Sequence, residues 1–260
     1  MNRIIIESAK VTLDNLENIE YSYVNSNEFF SISELELSIK NNTDLSLILK
    51  LQENDRLIIK INIDNNVYTN LNIITTGKYS KIQYEYNLGE YSTCYIEKYN
   101  DVDSIREMIV ANLSKESNFE YHFKHIATNK ENYDYMIYHK DINSISNIYN
   151  NGVNNGNIYY QISSFIPKNI MGCTANQFNR IINLTNNKCE IRPNLYIDCC
   201  DVVASHAALI DKFTDNELFY LALKGIDKDT ALKMLSKGFL LKDIHNAEII
   251  DLINKRYGGE

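Results

Sequence analysis

The chain has 260 residues, 44% of them apolar, and a formal net charge of −8 at pH 7. That length suits one sizeable domain with its own core, and no apolar run approaches the roughly 20 residues of a membrane span. Lysines are scattered among acids, so the concentrated basic face that a phosphate backbone requires is missing, and a nucleic-acid role is disfavoured.

At the start of the chain, MNRIIIESAK carries an apolar run too short for a secretory core, and Glu7 follows it at once. The expected location is therefore the cytoplasm. The five cysteines are Cys94, Cys173, Cys189, Cys199 and Cys200. An odd count without CxxC argues against a disulfide framework, and any bound metal would need ligands gathered by the fold or by a second chain.

From about Phe29 to about Asp201 the pattern is strand-like. SISELELSI, DRLIIKINID, VYTNLNIITT, IQYEYNL and YSTCYIEKY alternate apolar and polar residues and are rich in Ile, Val, Tyr and Thr. Turn-prone clusters (NNTD, ENDR, DNN, NNGVNNGN) separate them. This spacing fits an antiparallel sandwich or a parallel β-helix. The shortage of hairpin signals favours the solenoid. So does the abundance of Asn, which tolerates left-handed corners and stacks in hydrogen-bonded ladders. Within DVDSIREMIVANLSKES, Ile105, Met108, Ile109 and Leu113 would form a helical stripe, while REMIVANL reads equally well as a buried strand.

After His206 the pattern becomes helical. Thr214 and Glu217 have capping-box spacing, and Leu218, Phe219, Leu221 and Ala222 form an apolar face ending at Gly225. Asp227 opens a second helix through Ala231, Leu232 and Leu235 to Gly238. Asn246 caps a third, with Ile249, Ile250, Leu252 and Ile253 apolar. The expected division is a β core over 1–210, with a short N-terminal lead-in, and a helical segment over 211–260.

One run is more specific than any of this. Pro193, Leu195, Ile197, Asp201, Val202, Ser205, His206 and Ala208 are followed by Leu218-Phe219-Tyr220-Leu221, Gly225-Ile226, Ala231, Leu235 and Gly238-Phe239. In this order they resemble the C-terminal signature of the SufB/SufD family of iron–sulfur cluster assembly proteins. Asn179-Arg180-Ile181-Ile182 is similar to a further family motif upstream. The Ser205-His206 pair matches the SufD pattern, because glutamates flank the histidine in SufB. Ala207, Leu209 and Asp211 depart from the family's Gly, Thr and Gly. The helical region that precedes the core in longer relatives is expected to be missing or minimal here.

The resemblance implies a right-handed parallel β-helix with a C-terminal α-helical segment. It also implies a scaffold role in a SUF-type complex. The partners would be a SufC-like ABC ATPase and a second protomer, identical or a paralogue. The cargo would be a transient iron–sulfur cluster. His206 is the first candidate ligand, with Cys189 and Cys200 as weaker ones, and the docking face for the ATPase would be Leu218, Phe219, Tyr220, Leu221, Leu235 and Phe239. On one continuous strand, Cys200, Val202, Ala204 and His206 would share a face. Cys200 and His206 would then lie about 20 Å apart, too far to chelate one ion. Cys189, read as one solenoid turn away from His206, is the better candidate within the chain. Cys94 and Cys173 read as core residues, and His122, His125 and His139 as strand residues rather than ligands.

No Gly-rich phosphate loop of the Walker type occurs, so direct ATP binding and an enzymatic role are not expected. Two alternatives remain: a β-helical enzyme acting on polysaccharide, and a purely structural SufD-like subunit without cluster ligands. The first lacks a distinctive acid pair, any Trp, and a secretion signal.

Overall fold

The computed structural model describes residues 2–8, 10–26 and 32–258. Phe29, where the strand-like pattern begins, lies outside them. One sheet contains β1 (Asn2–Glu7), β2 (Lys10–Asp14), β5 (Thr43–Leu51), β7 (Tyr68–Gly77), β9 (Thr93–Val102), β11 (Asn118–Ala127), β13 (Ile145–Asn154), β15 (Cys173–Asn183) and β17 (Val202–Asp211). The other contains β3 (Ile19–Ser26), β4 (Ile32–Ile39), β6 (Asp55–Ile63), β8 (Ser80–Leu88), β10 (Ile105–Leu113), β12 (Lys130–His139), β14 (Asn157–Ile166) and β16 (Cys189–Ile197).

From β4 onward the chain alternates between the sheets, and every neighbouring pair in each sheet is parallel. The architecture is thus a parallel β-helix rather than a sandwich. Thr43, Thr69, Cys94, Phe119, Ser146, Ala175 and Ala204 occupy one register row, so a turn takes roughly 25 to 29 residues. The ambiguous stretch after Val102 is β10, with Ile105, Glu107, Ile109, Ala111 and Leu113 pointing inward.

Three strands were not anticipated from the sequence. β1 continues the first sheet parallel to β5, whereas β2 and β3 run antiparallel to β1 and β4. Val11, Leu13, Leu16 and Tyr23 pack against the interior and close that end of the solenoid.

Period-two alternation places one side-chain set inside the coil and the other outside. The inside is apolar and becomes strongly aromatic in the middle, where Tyr84, Tyr86, Phe119, Tyr121, Phe123, Tyr133, Tyr135 and Tyr160 are all buried. Cys94 and Cys173 are core residues, as expected. Asn adopts the left-handed conformation at several corners (Asn54, Asn66, Asn143, Asn169), where only Gly is more permissive. Outside, Asn112 donates to Asn87 at 2.8 Å and Asn87 to Asn62 at 2.9 Å. That row then continues as the stacked rings of Tyr138, Phe165 and Tyr196.

The tail comprises α1 (Asp215–Leu223), α2 (Lys228–Leu241) and α3 (Ala247–Arg256). Thr214 and Glu217 form the capping box; Asp227 and Asn246 cap the other two helices. Gly225 takes a φ of 81°, as a C′ residue should. The second helix runs three residues past Gly238, because Leu240 faces a buried contact there.

Both α2 and α3 lie on the outer wall of the first sheet. Leu240, Ile249 and Ile253 meet Ile48, Ile74, Tyr99, Ile126 and Val153. Each such side chain contributes about 2 kcal/mol when fully buried. Two polar side chains clasp the connection between the helices. Glu97 accepts the backbone N–H groups of His245 (2.9 Å) and Asn246 (2.7 Å), and Lys124 donates to the Lys242 carbonyl at 2.7 Å. Burial pulls the Lys124 ammonium down to about 8, against the attraction of Asp243 and Glu97. No helix among the described residues is long and apolar enough to cross a membrane.

Candidate functional site at the open end of the solenoid

The two ends of the coil differ. Strands β2 and β3 seal the first, whereas β16 and β17 are edge strands at the other. Edge strands expose unpaired N–H and C=O groups and invite pairing. Between Val202 and Ile210, β17 has no Asp, Glu, Lys or Arg, and Val203, Leu209 and Ile210 are exposed.

His206 lies within β17, on its inward-facing set. Its register row runs Leu45, Leu71, Ile96, Tyr121, Ile148, Gln177, His206. The first six are covered by the next turn; His206 has no turn above it and is exposed. Beneath it, Gln177 is buried and donates to Ser164 Oγ (2.8 Å) and the Asn194 carbonyl (3.1 Å). Outward-facing Ser205 donates to Asn176 at 2.6 Å, and Asn176 to Asn147 at 3.0 Å. This ladder fixes the strand and hence the direction of the neighbouring imidazole.

Cys189 opens β16 and also faces inward, in the row of Glu131 and Ile158. It belongs to the same turn as His206 but to the opposite sheet, so it is half a turn away rather than a whole one. The cross-lumen register separates the two. His125 contacts Glu131, which puts the row of His125, Gly152, Ile181 and Ile210 opposite the row of Cys189. Gln177, in the row of His206, instead contacts Ser164, in the row of Leu195. His206 and Cys189 are thus offset by roughly 13 to 20 Å along the strand direction, before the width of the lumen is added. Burial pushes the Cys189 thiol up to about 11.

Cys200 is exposed in the corner between β16 and β17, because β17 begins only at Val202. The shared face expected for Cys200 and His206 therefore does not form. Cys199 packs against Ile166 and Cys173. No group of three or more His, Cys, Asp or Glu side chains among the described residues could hold a metal ion.

Sequence reasoning missed a set of buried charges deeper in the lumen. Lys98 and Glu107, both fully buried, lie 2.6 Å apart. Glu107 also accepts from Tyr135 (2.7 Å) and Asn100 (3.2 Å), and the ammonium sits 4.0 Å from the Tyr84 ring centre. Burial drags Lys98 down to about 8, and Glu107 resists that shift. His125 donates from Nδ1 to Glu131 at 2.8 Å, and Tyr133 donates to the same carboxylate oxygen at 3.0 Å. The signal was present: Lys98 falls on the inward phase between Ile96 and Asn100, and Glu107 between Ile105 and Ile109. His122, by contrast, faces outward against Tyr149 and bonds Glu120.

On the tail, α1 has no buried residue, and Phe219 and Tyr220 are 64% and 61% exposed. Leu218 and Leu221 are half-buried beside them. Leu235 is also half-buried, while Phe239 packs toward the wall with the Arg180 guanidinium over its ring.

Comparisons with known proteins give the family of this solenoid. The family model for the SufBD core domain of the SUF system for FeS cluster assembly matches residues 100–239, more than half of the chain. The chain belongs to this family. It is 37% identical over 70 residues to an iron–sulfur cluster assembly SufBD family protein of Mycobacterium leprae (strain TN), covering 26% of this chain and 18% of that protein. It is 38% identical over 65 residues to the chloroplastic protein ABCI7 of Arabidopsis thaliana, covering 24% of this chain and 14% of that protein. The matched stretches are thus well under two thirds of either relative.

Proposed function

We propose that the chain is a non-catalytic scaffold subunit of a cytoplasmic SUF-type complex, on whose open end an iron–sulfur cluster is assembled with a second protomer. One observation carries this reading: His206 belongs to the lumen row yet is left uncovered on β17, whose outer edge, like that of β16, pairs with no strand among the described residues. A second protomer, identical or paralogous, joined at β16 and β17 would bring its own ligands to this imidazole. Thiolate and imidazole donors suit iron in such clusters. Cys189 serves as a separate candidate, since deprotonation by iron must overcome the burial that holds its thiol neutral. Cys200, exposed at the corner, is the weakest of the three.

The second half of the proposal concerns α1. Its exposed Phe219 and Tyr220, with the half-buried Leu218 and Leu221 beside them, form a helical face suited to docking a SufC-like ABC ATPase, with Leu235 and Phe239 supporting it from α2. The scaffold itself hydrolyses no ATP. Movement of the bound ATPase would reach the solenoid through α2 and the clasp at Glu97 and Lys124.

Two experiments test these halves. Co-expression with an adjacently encoded ABC ATPase should yield a complex that Phe219→Asp abolishes. Anaerobic reconstitution with iron and sulfide should give cluster absorbance that falls in His206→Ala. Unchanged absorbance in both His206→Ala and Cys189→Ala would favour the purely structural subunit.

A further inference from the structure

Beside the clasp, a cavity of about 300 Å³ opens between the outer wall of the first sheet and the start of α3. Its lining includes Asp44, Asn70, Asn72, Tyr95, Glu97 and His245. The register makes a compact grid of the wall residues: Asp44 pairs with Asn70 and then Tyr95, and Ser46 pairs with Asn72 and then Glu97. Adjacent rungs are about 4.8 Å apart and same-face neighbours on a strand about 6.8 Å apart, so Asn70 and Asn72 lie between the two carboxylates.

Three features of this grid bear on what the cavity can hold. Asn72 is only 5% exposed, yet its amide makes no hydrogen bond to another described residue. Beside it, the buried Ser46 hydroxyl also lacks a partner. Asp44 makes no ion pair among the described residues. The Asn72 amide lines the cavity and is free to bond an occupant, whereas the Ser46 hydroxyl lies behind that lining.

Charge narrows the identity of that partner. Glu97 spends three of its acceptor positions on Tyr95 Oη, His245 N–H and Asn246 N–H, and it is attracted to Lys124. Asp44 is the carboxylate left uncompensated. A cationic group placed over Asn70 and Asn72 would meet the Asp44 carboxylate and could donate to the amide carbonyl of Asn72. An anion would face two carboxylates.

From this geometry we infer a binding site for a small organic ammonium compound at the seam between the solenoid wall and the helical tail. Asp44 supplies the charge, and Asn70 and Asn72 supply the hydrogen bonds. Because α3 forms one wall, occupancy ties the tail more tightly to the solenoid. This inference does not depend on the cluster or the ATPase.

The test uses the full chain, with ethanolamine and 1,4-diaminobutane as probes and ethylene glycol and 1,4-butanediol as their uncharged matches. NMR titration should show saturable shifts of the Asn70 and Asn72 side-chain amides with the amines and none with the diols. Asp44→Asn, at an exposed position, should weaken amine binding at least tenfold while leaving the thermal midpoint unchanged. Asn72→Leu should do the same if it keeps that midpoint. Backbone amides of 243–247 should exchange more slowly in the amine-bound protein. The proposal is overturned by absence of saturable amine binding, by equal binding of amines and diols, or by binding insensitive to Asp44→Asn.

Discussion

At the scale of single residues, the lumen is where packing and charge compete. Removing one partner of a buried ion pair strands the other, at about 3–5 kcal/mol. Lys98→Met should therefore destabilise strongly in urea titrations, and adding Glu107→Leu should recover most of the loss. Equal stability of the single and double variants would show that Glu107 is not charged in the fold. Gly152 belongs to the same neighbourhood: a Cβ there would come within 2.3 Å of His125 Nε2, so only glycine lets that ring hold Glu131.

His139 gives a pH prediction. Its ring is buried between the Ser144 and Ser146 hydroxyls, and burial lowers its value from 6.5 to about 4. The native state therefore keeps the ring neutral where the unfolded chain protonates it. The associated stability is complete above about 6.5 and is lost as pH falls through about 4, by about 3 kcal/mol in all. His139→Gln should remove this component, and the check is the difference in urea midpoints between variant and wild type from pH 7 to pH 4.5. None of these roles was legible from residue type. His139 and Lys98 show themselves only once the inward phase of each strand is known, since a polar residue on that phase cannot reach water.

At the scale of elements, strands and helix caps were legible because they obey local rules. SISELELSI and DRLIIKINID alternate cleanly, and Thr214 stands three residues before Glu217. Thr214→Ala should cost about 1 kcal/mol of α1 stability, visible as faster amide exchange in 215–219 alone. The strands β1 to β3 were not legible. RIIIE is too short to distinguish from an unstructured apolar run, and its strand character comes from Leu45, Leu47 and Leu49 in β5 beside it. The break at Cys199 and Cys200 was likewise hidden. Nothing in CCDVV announces a corner, and the corner is set by where the opposite sheet ends.

At the scale of the whole molecule, the β-helix was inferred partly from Asn ladders and mainly from the signature around His206. The ladders are present, and the family match agrees. The relation of Cys189 to His206 could not be read from their separation in sequence, because it depends on which rows face each other across the lumen. If β17 is the contact edge, Leu209→Lys should shift the protein toward the monomer in light scattering without lowering its melting temperature. An unchanged mass for a wild-type dimer would place the contact elsewhere.

The antiparallel strands at the far terminus have a consequence for growth. A coil whose two mouths were both bare could add units head to tail without limit, as fibres do. Here Lys10, Thr12 and Asp14 decorate one mouth with polar groups, which leaves the other as the bare one. Protomers joined through that mouth, as proposed above, would cover it on each member, and polymerisation would stop at a couple.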